Sequence, residues 1–126
     1  MKKTDFALAP IFGGLAWVVA MALPGSAVSA SGSPPAAFNQ CVACHSVEPG
    51  KMMVGPSLAG VVGRKSGTVK GFAYSPAMRK AGKTWTEEEL DTFLSNPIKT
   101  VPGTKMPLPV RNPAQRKAII AYLKTI

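Results

Sequence analysis

The chain has 126 residues, and its 15 lysines and arginines against 6 aspartates and glutamates give a formal net charge of +9 at pH 7. This charge fits an acidic partner surface, with ordinary solubility as the alternative explanation. Nucleic acid is a poor candidate, because no basic run with interleaved aromatic residues is present. The length allows one small domain after a leader, and a core of that size usually gains from a cofactor.

Residues 1–30 have the pattern of a secretory signal peptide. Lys2 and Lys3 give a basic start, residues 11–23 are an apolar stretch, and residues 26–30 offer small side chains to a signal peptidase. Cleavage after Ala30 would leave an exported chain with a net charge of 13 − 5 = +8. The alternative is an uncleaved anchor, since residues 6–23 just reach the length of a membrane-spanning helix.

Both cysteines and the only histidine of the chain stand together in Cys41-Val42-Ala43-Cys44-His45. Two thiols at this spacing can add to the two vinyl groups of one haem, and the histidine that follows can bind its iron. A structural zinc site needs about four protein ligands, and the chain has no further cysteine or histidine. The motif predicts one covalently attached haem, with a plain disulfide or dithiol as the alternative.

The next part of the chain predicts two short helices separated by a long loop. A proline pair at residues 34–35 can open a helix just ahead of the cysteine motif. Residues 50–71 are rich in glycine and are expected to form a loop. Ser75-Pro76 is a helix start of the cap-then-proline kind, and Gly82 ends that helix.

The last part predicts two longer helices. Thr86 and Glu89 form a capping box for a helix that ends before Pro97, and Asn112-Pro113 opens the final helix. The apolar residues of the final helix recur at helical spacing at Ala114, Ala118, Ile119, Tyr122, Leu123 and Ile126. Because no segment alternates apolar and polar residues for long enough to predict a strand, the expected fold class is all-α.

With no second histidine in the chain, the sixth position on the iron of a haem bound through His45 would hold a methionine, a lysine or nothing. The methionines at residues 52–53 follow His45 too closely to reach the opposite haem face, and Met78 lies in a predicted helix. Met106 lies in a loop stiffened by prolines, 106 − 45 = 61 residues beyond His45. We predict that Met106 is the ligand, with core filling as the alternative use of this side chain.

Several segments in order resemble the class I c-type cytochromes of mitochondria and proteobacteria. The resemblance covers residues 38–124, and its segments are residues 38–45, 55–58, 63–67, 71–74, 83–85, 96–97, 102–106 and 120–124. It implies the small cytochrome c fold, in which several short helices and long loops wrap around one covalently attached haem c. Cys41 and Cys44 would form the thioethers, and His45 and Met106 would be the axial ligands of the iron.

The resemblance also implies roles for four residues of the haem pocket. The carbonyl of Pro56 would accept a hydrogen bond from the ring of His45. Arg64, Tyr74 and Trp85 would bind or neutralise a haem propionate. The alternatives are that both aromatic residues only fill the core and that Arg64 is a solvated loop charge.

Two positions depart from the family pattern. Phe93 stands where many relatives have a tyrosine that forms a hydrogen bond near the methionine sulfur, and Met78 aligns with an asparagine that often helps to order a buried water. We expect these changes to remove polar contacts and to leave the haem class intact.

The expected function is that of a monomeric, periplasmic electron carrier, which is not an enzyme. The resemblance implies redox protein partners in a respiratory chain: a membrane quinol–cytochrome reductase, and a terminal oxidase or another periplasmic redox enzyme. Residues 31–126 would form the monohaem domain, which meets the membrane only through its partners or an uncleaved anchor. One alternative is a peroxidase-like haem enzyme with an open sixth position. The other is an anchored electron-transfer subunit of an oxidase, which would retain residues 6–23.

Overall fold

The computed structural model describes residue 13 and residues 32–126, so the predicted signal peptide lies almost wholly outside the described residues. In this part a 3₁₀ turn, Ala36–Phe38, precedes five helices: α1 (Asn39–Val42), α2 (Pro76–Lys80), α3 (Glu87–Ser95), α4 (Pro97–Thr100) and α5 (Pro113–Leu123). The strand-like pairing found there is one isolated antiparallel bridge between Lys65 and Thr84. The all-α prediction is confirmed. No helix among the described residues is long and apolar enough to cross a membrane.

Side-chain caps determine where two of the helices begin. The hydroxyl of Ser75 accepts a hydrogen bond from the backbone N–H of Met78, and Pro76 follows at the first helical position. Asn112 caps α5 in the same way, by accepting from the backbone N–H of Ala114 at 2.9 Å. Both helix starts are confirmed, because each depends only on residues next to one another in the chain.

The predicted capping box of α3 forms only one of its two hydrogen bonds. Thr86 Oγ1 accepts from the backbone N–H of Glu89 at 3.2 Å. The carboxylate of Glu89, however, binds Lys83 Nζ at 2.8 Å, and the N–H of Thr86 donates to the carbonyl of Thr84. The predicted bond from the backbone N–H of Thr86 to the Glu89 carboxylate is therefore wrong, because an ammonium group is a stronger partner for a carboxylate than a backbone N–H.

Helix α4 is an element that the sequence pattern does not predict. Asn96 ends α3 and also caps α4, since its Oδ1 accepts from the backbone N–H of Lys99 at 3.1 Å. A helix of four residues is too short to show an apolar period. The Asn-Pro pair is its one local signal.

The core forms where α5 packs against α3 and against the N-terminal turn. Phe38 and Tyr122 meet edge to face, with ring centroids 4.8 Å apart. Helix α5 buries Arg116, Ile119, Ile120 and Leu123. Ala114, which shares the helical spacing of Ala118 and Tyr122, is exposed. Near the start of α5 the buried residue is Arg116, which lies on the opposite side of the helix from Ala114.

Candidate functional site

A cavity of about 260 Å³ lies inside the described domain. Its walls are mostly apolar, and its volume far exceeds the roughly 10–15 Å³ that one water molecule needs. The eight residues with predicted haem roles all line this single cavity: Cys41, Cys44, His45, Pro56, Arg64, Tyr74, Trp85 and Met106. The fold therefore brings together residues that are spread over more than half of the described chain.

Cys41, Cys44 and His45 are held on one wall by a turn of the main chain. The backbone N–H groups of Cys44 and His45 both donate to the carbonyl of Cys41, at 3.1 and 2.9 Å. The two cysteines are not joined by a disulfide. Burial raises the pKa of the Cys41 thiol to about 11. Because the thiolate is the reactive form, this environment favours reaction with haem before the chain closes.

The ring of His45 is oriented by two neighbours. Its Nδ1 donates to the carbonyl of Pro56 at 2.7 Å, since a carbonyl oxygen can only accept. This bond selects the tautomer in which Nε2 keeps the lone pair that a metal requires. A Cβ atom on Gly55 would overlap the His45 ring at Cε1, so glycine is required for the ring to take this position.

Arg64 brings a cation to the cavity wall. Its Nη1 and Nη2 donate to the carbonyls of Ala59 and Ser57 at 3.0 and 3.1 Å. Its Nε is buried and has no hydrogen-bond partner among the described residues. Burial lowers the pKa of the guanidinium, and the phenol of Tyr74 acts in the opposite direction. A half-buried guanidinium with an unused, buried donor fits an anionic group such as a haem propionate.

Tyr74 and Trp85 line the same cavity as Arg64. The backbone N–H of Trp85 donates to the carbonyl of Arg64 at 2.9 Å, which pairs the two segments. The hydroxyl of Tyr74 accepts from the backbone N–H of Val69 at 3.3 Å, so its own proton stays available for another acceptor. Trp85 also packs against Phe93, with ring centroids 5.0 Å apart. Packing and polar contact are thus compatible uses of these aromatic residues.

Met106 lies on the cavity wall together with Thr104, Leu108 and Val110. The backbone N–H of Met106 donates to Thr104 Oγ1 at 3.2 Å, and the N–H of Thr104 donates to the carbonyl of Val101 at 3.0 Å. This short hydrogen-bonded turn leads directly to the methionine.

The other methionines are placed differently. Met53 is 43% exposed and does not line the cavity. Met78 is buried in α2 and does line it, as does the buried Phe93. Neither Met78 nor Phe93 carries a strong hydrogen-bond donor. The two departures from the family pattern therefore make this part of the cavity wall apolar.

Arg116 is a buried charge outside the cavity that the sequence pattern does not predict. A charge on an amphipathic helix normally faces solvent, but Arg116 is only 9% exposed and binds Asp91 and two loop carbonyls. The available signal is its spacing. Arg116 precedes the buried Ile119 by three residues and Leu123 by seven, which places all three on one helix face.

Comparisons with known proteins agree on one family. The cytochrome c family model matches residues 32–126. The chain is 53% identical over 93 residues to cytochrome c2 iso-2 of Magnetospirillum fulvum, covering 73% of this chain and 97% of that protein. It is 41% identical over 126 residues to cytochrome c2 of Blastochloris viridis, covering 98% and 93% respectively. The solved structure of cytochrome cH from Methylobacterium extorquens aligns with a TM-score of 0.67 at 48% identity, covering 71% of this chain and 92% of that one.

Proposed function

The chain belongs to the cytochrome c family, and on that basis we propose that it is a monomeric electron shuttle of the periplasm. Membership of this family means that the protein has one covalently attached haem c, carries electrons and is not an enzyme. The peroxidase-like alternative is therefore set aside. The proposed donor is a membrane quinol–cytochrome reductase, and the proposed acceptor is a terminal oxidase or another periplasmic redox enzyme.

The proposal assigns the haem to the single cavity that the predicted residues share. Haem c supplies a one-electron couple between ferric and ferrous iron. Cys41 and Cys44 would hold it through thioethers, while His45 and Met106 would bind the iron. The observation that carries this assignment is that His45 and Met106 line one cavity although 61 residues separate them in the chain.

Three residues would orient the polar edge of the cofactor. Arg64 would donate from its unpartnered Nε, and Tyr74 from its hydroxyl proton, to a propionate. Trp85 would complete this end of the cavity. The bond from His45 to Pro56 would keep the imidazole in position and make it a more basic ligand. Filled axial positions on both sides would limit rearrangement when the iron changes charge.

The mouth of the cavity supports transient docking of a protein partner. Val54 is 80% exposed and Leu108 is 51% exposed, and both line the cavity. The exposed Lys105 also lines the cavity. A partner with an apolar contact centre and acidic residues around it would fit such a surface.

Substitution of Met106 tests the ligand assignment. Met106→Ala in the ferric holoprotein should remove the weak long-wavelength charge-transfer band of methionine-ligated iron, and it should open the iron to added imidazole. Met53→Ala is the matched control, because Met53 is exposed and lies outside the cavity. A band that persists in Met106→Ala would refute ligation by this residue.

The leader and the cofactor attachment can be tested in one measurement. Mass spectrometry of protein purified from its own periplasm should give the mass of residues 31–126 plus one haem. A mass that includes residues 1–30 would favour an anchored subunit over a free shuttle.

A further inference from the structure

We infer that Arg116 is a positioning residue for Met106, because it holds the chain segment that follows this methionine. The inference rests on the proposed function, in which Met106 binds the haem iron. Arg116 belongs to α5, whereas Met106 lies in the preceding loop and does not touch α5 through any hydrogen bond of the described residues.

The guanidinium of Arg116 joins three parts of the structure. Its Nε and Nη2 donate to the two carboxylate oxygens of Asp91 in α3, at 2.7 and 3.4 Å. Its Nη1 donates to the carbonyls of Val110 and Arg111, at 3.0 and 2.9 Å. A planar guanidinium can serve several acceptors at fixed angles, which the single ammonium group of a lysine cannot do in the same way.

The segment at residues 107–111 has few other polar contacts. Pro107 and Pro109 have no N–H group to donate. In the described part of the chain, the further hydrogen bond of this segment runs from the backbone N–H of Val110 to the carbonyl of Leu94, at 2.7 Å. Arg116 therefore supplies two of the three hydrogen bonds that fix the segment.

A shift of this segment would reach the ligand directly. Val110 is four residues beyond Met106, and both line the cavity. The two prolines between them restrict the backbone, so the intervening chain can absorb little movement. Since a site that is loose by about 1 Å loses its function, the Arg116 contacts should lower the population in which Met106 has left the iron.

The ion pair with Asp91 is the smaller part of this effect. The side chain of Asp91 is 48% exposed, so water can solvate the carboxylate when its partner is removed. A methionine at position 116 can keep much of the packing made by the aliphatic stem of arginine. The effect of Arg116→Met on the loop should therefore come chiefly from the loss of the two bonds to the loop carbonyls.

Imidazole is a suitable probe because it competes with Met106 for ferric iron. The Arg116→Met holoprotein should bind imidazole about tenfold more tightly than the parent, as expected for the loss of hydrogen bonds from a charged donor. Lys124→Met is the matched control. Lys124 also pairs with α3, through Glu87, but this pair does not involve residues 107–111. The control should stay within about twofold of the parent.

A double-mutant cycle separates positioning from general stability. In a Met106→Ala background, Arg116→Met should no longer change imidazole affinity, because there is no methionine left to displace. An equal gain in both backgrounds, or equal affinities in Arg116→Met and Lys124→Met, would overturn the inference. Failure of the proposed function looks different, since Met106→Ala alone would then leave imidazole affinity unchanged.

Arg116→Lys keeps the test decisive if the methionine variant does not fold. Lysine retains the positive charge beside Asp91 but cannot reproduce the bonds to both carbonyls. It should tighten imidazole binding by at least about threefold, in the same direction as Arg116→Met. Parent-like affinity in Arg116→Lys would show that the charge suffices, and it would overturn the role of the carbonyl contacts.

Discussion

The chain around His45 is held by hydrogen bonds within residues 41–58, whereas the chain that follows Met106 is held by residues of two separate helices. On the His45 side, the backbone N–H of Gly55 donates to Cys44 at 2.7 Å, and that of Leu58 donates to Ser46 at 2.8 Å. The ring itself is bound by Pro56. On the Met106 side, the loop depends on Leu94 in α3 and on Arg116 in α5.

This difference predicts which of the two proposed axial ligands exchanges more readily. Within residues 41–58, several hydrogen bonds close short loops, so opening the His45 side costs many local contacts at once. The Met106 loop can detach by losing contacts with α3 and α5 while the helices remain packed. Local opening of this kind needs less free energy than global unfolding. We therefore expect exogenous ligands to enter on the Met106 side.

Loss of haem attachment should unfold the His45 side and the Met106 side of the protein together. In the Cys41→Ser, Cys44→Ser double variant, the central cavity would lose the group that fills it, and a domain of this size has little spare core. The product should be largely unfolded by circular dichroism and rapidly digested by protease. A helical protein with a cooperative thermal transition would show that the polypeptide core suffices.

Gly55→Ala should distort the chain around His45 and so destabilise the whole fold. The new Cβ would lie within 2.9 Å of three ring atoms of His45, while Pro56 holds that ring in place. We expect the free energy of unfolding, measured in guanidinium chloride, to fall by at least about 2 kcal/mol. Gly32→Ala is the control, because its Cβ would meet no atom within 4 Å.

Gly103→Ala is the corresponding change on the Met106 side. Gly103 has a φ of +92°, and a Cβ there would lie 3.0 Å from the Cβ of Ala77. The strain should cost about 1 kcal/mol. It should appear mainly as tighter imidazole binding, with a smaller loss of global stability than in Gly55→Ala. The reverse order of the two stability losses would contradict the difference between the two sides.

The smallest effect concerns docking at the Met106 side. Oxidation of the ferrous protein by ferricyanide, an anionic probe, should slow about threefold in Lys105→Glu at low salt, because Lys105 lies at the cavity mouth. Lys117→Glu makes the same charge change on an exposed position of α5 and should have less effect. The difference should shrink in salt, since the Debye length falls from about 10 Å at 0.1 M to about 3 Å at 1 M. Equal slowing in both variants would rule out a localised docking face.

Local sequence patterns determined much of what the structure shows. The attachment motif at residues 41–45 needs only adjacent residues to predict a haem, and the family comparison bears this out. The caps at Ser75 and Asn112 bind backbone groups two or three residues away, so the starts of α2 and α5 follow from the sequence. The resemblance to a family also indicated which distant residues would line one cavity.

The tertiary structure alone decided which distant groups are partners. Glu89 binds Lys83 where a local pattern favours the cap, and Arg116 is buried because Asp91, Val110 and Arg111 surround its guanidinium. Asp91 is 25 residues from Arg116 in the chain, and no residue spacing specifies how α3 lies against α5. A helical period shows that a side chain faces inward, but the groups that satisfy a buried charge are known only once the helices are packed.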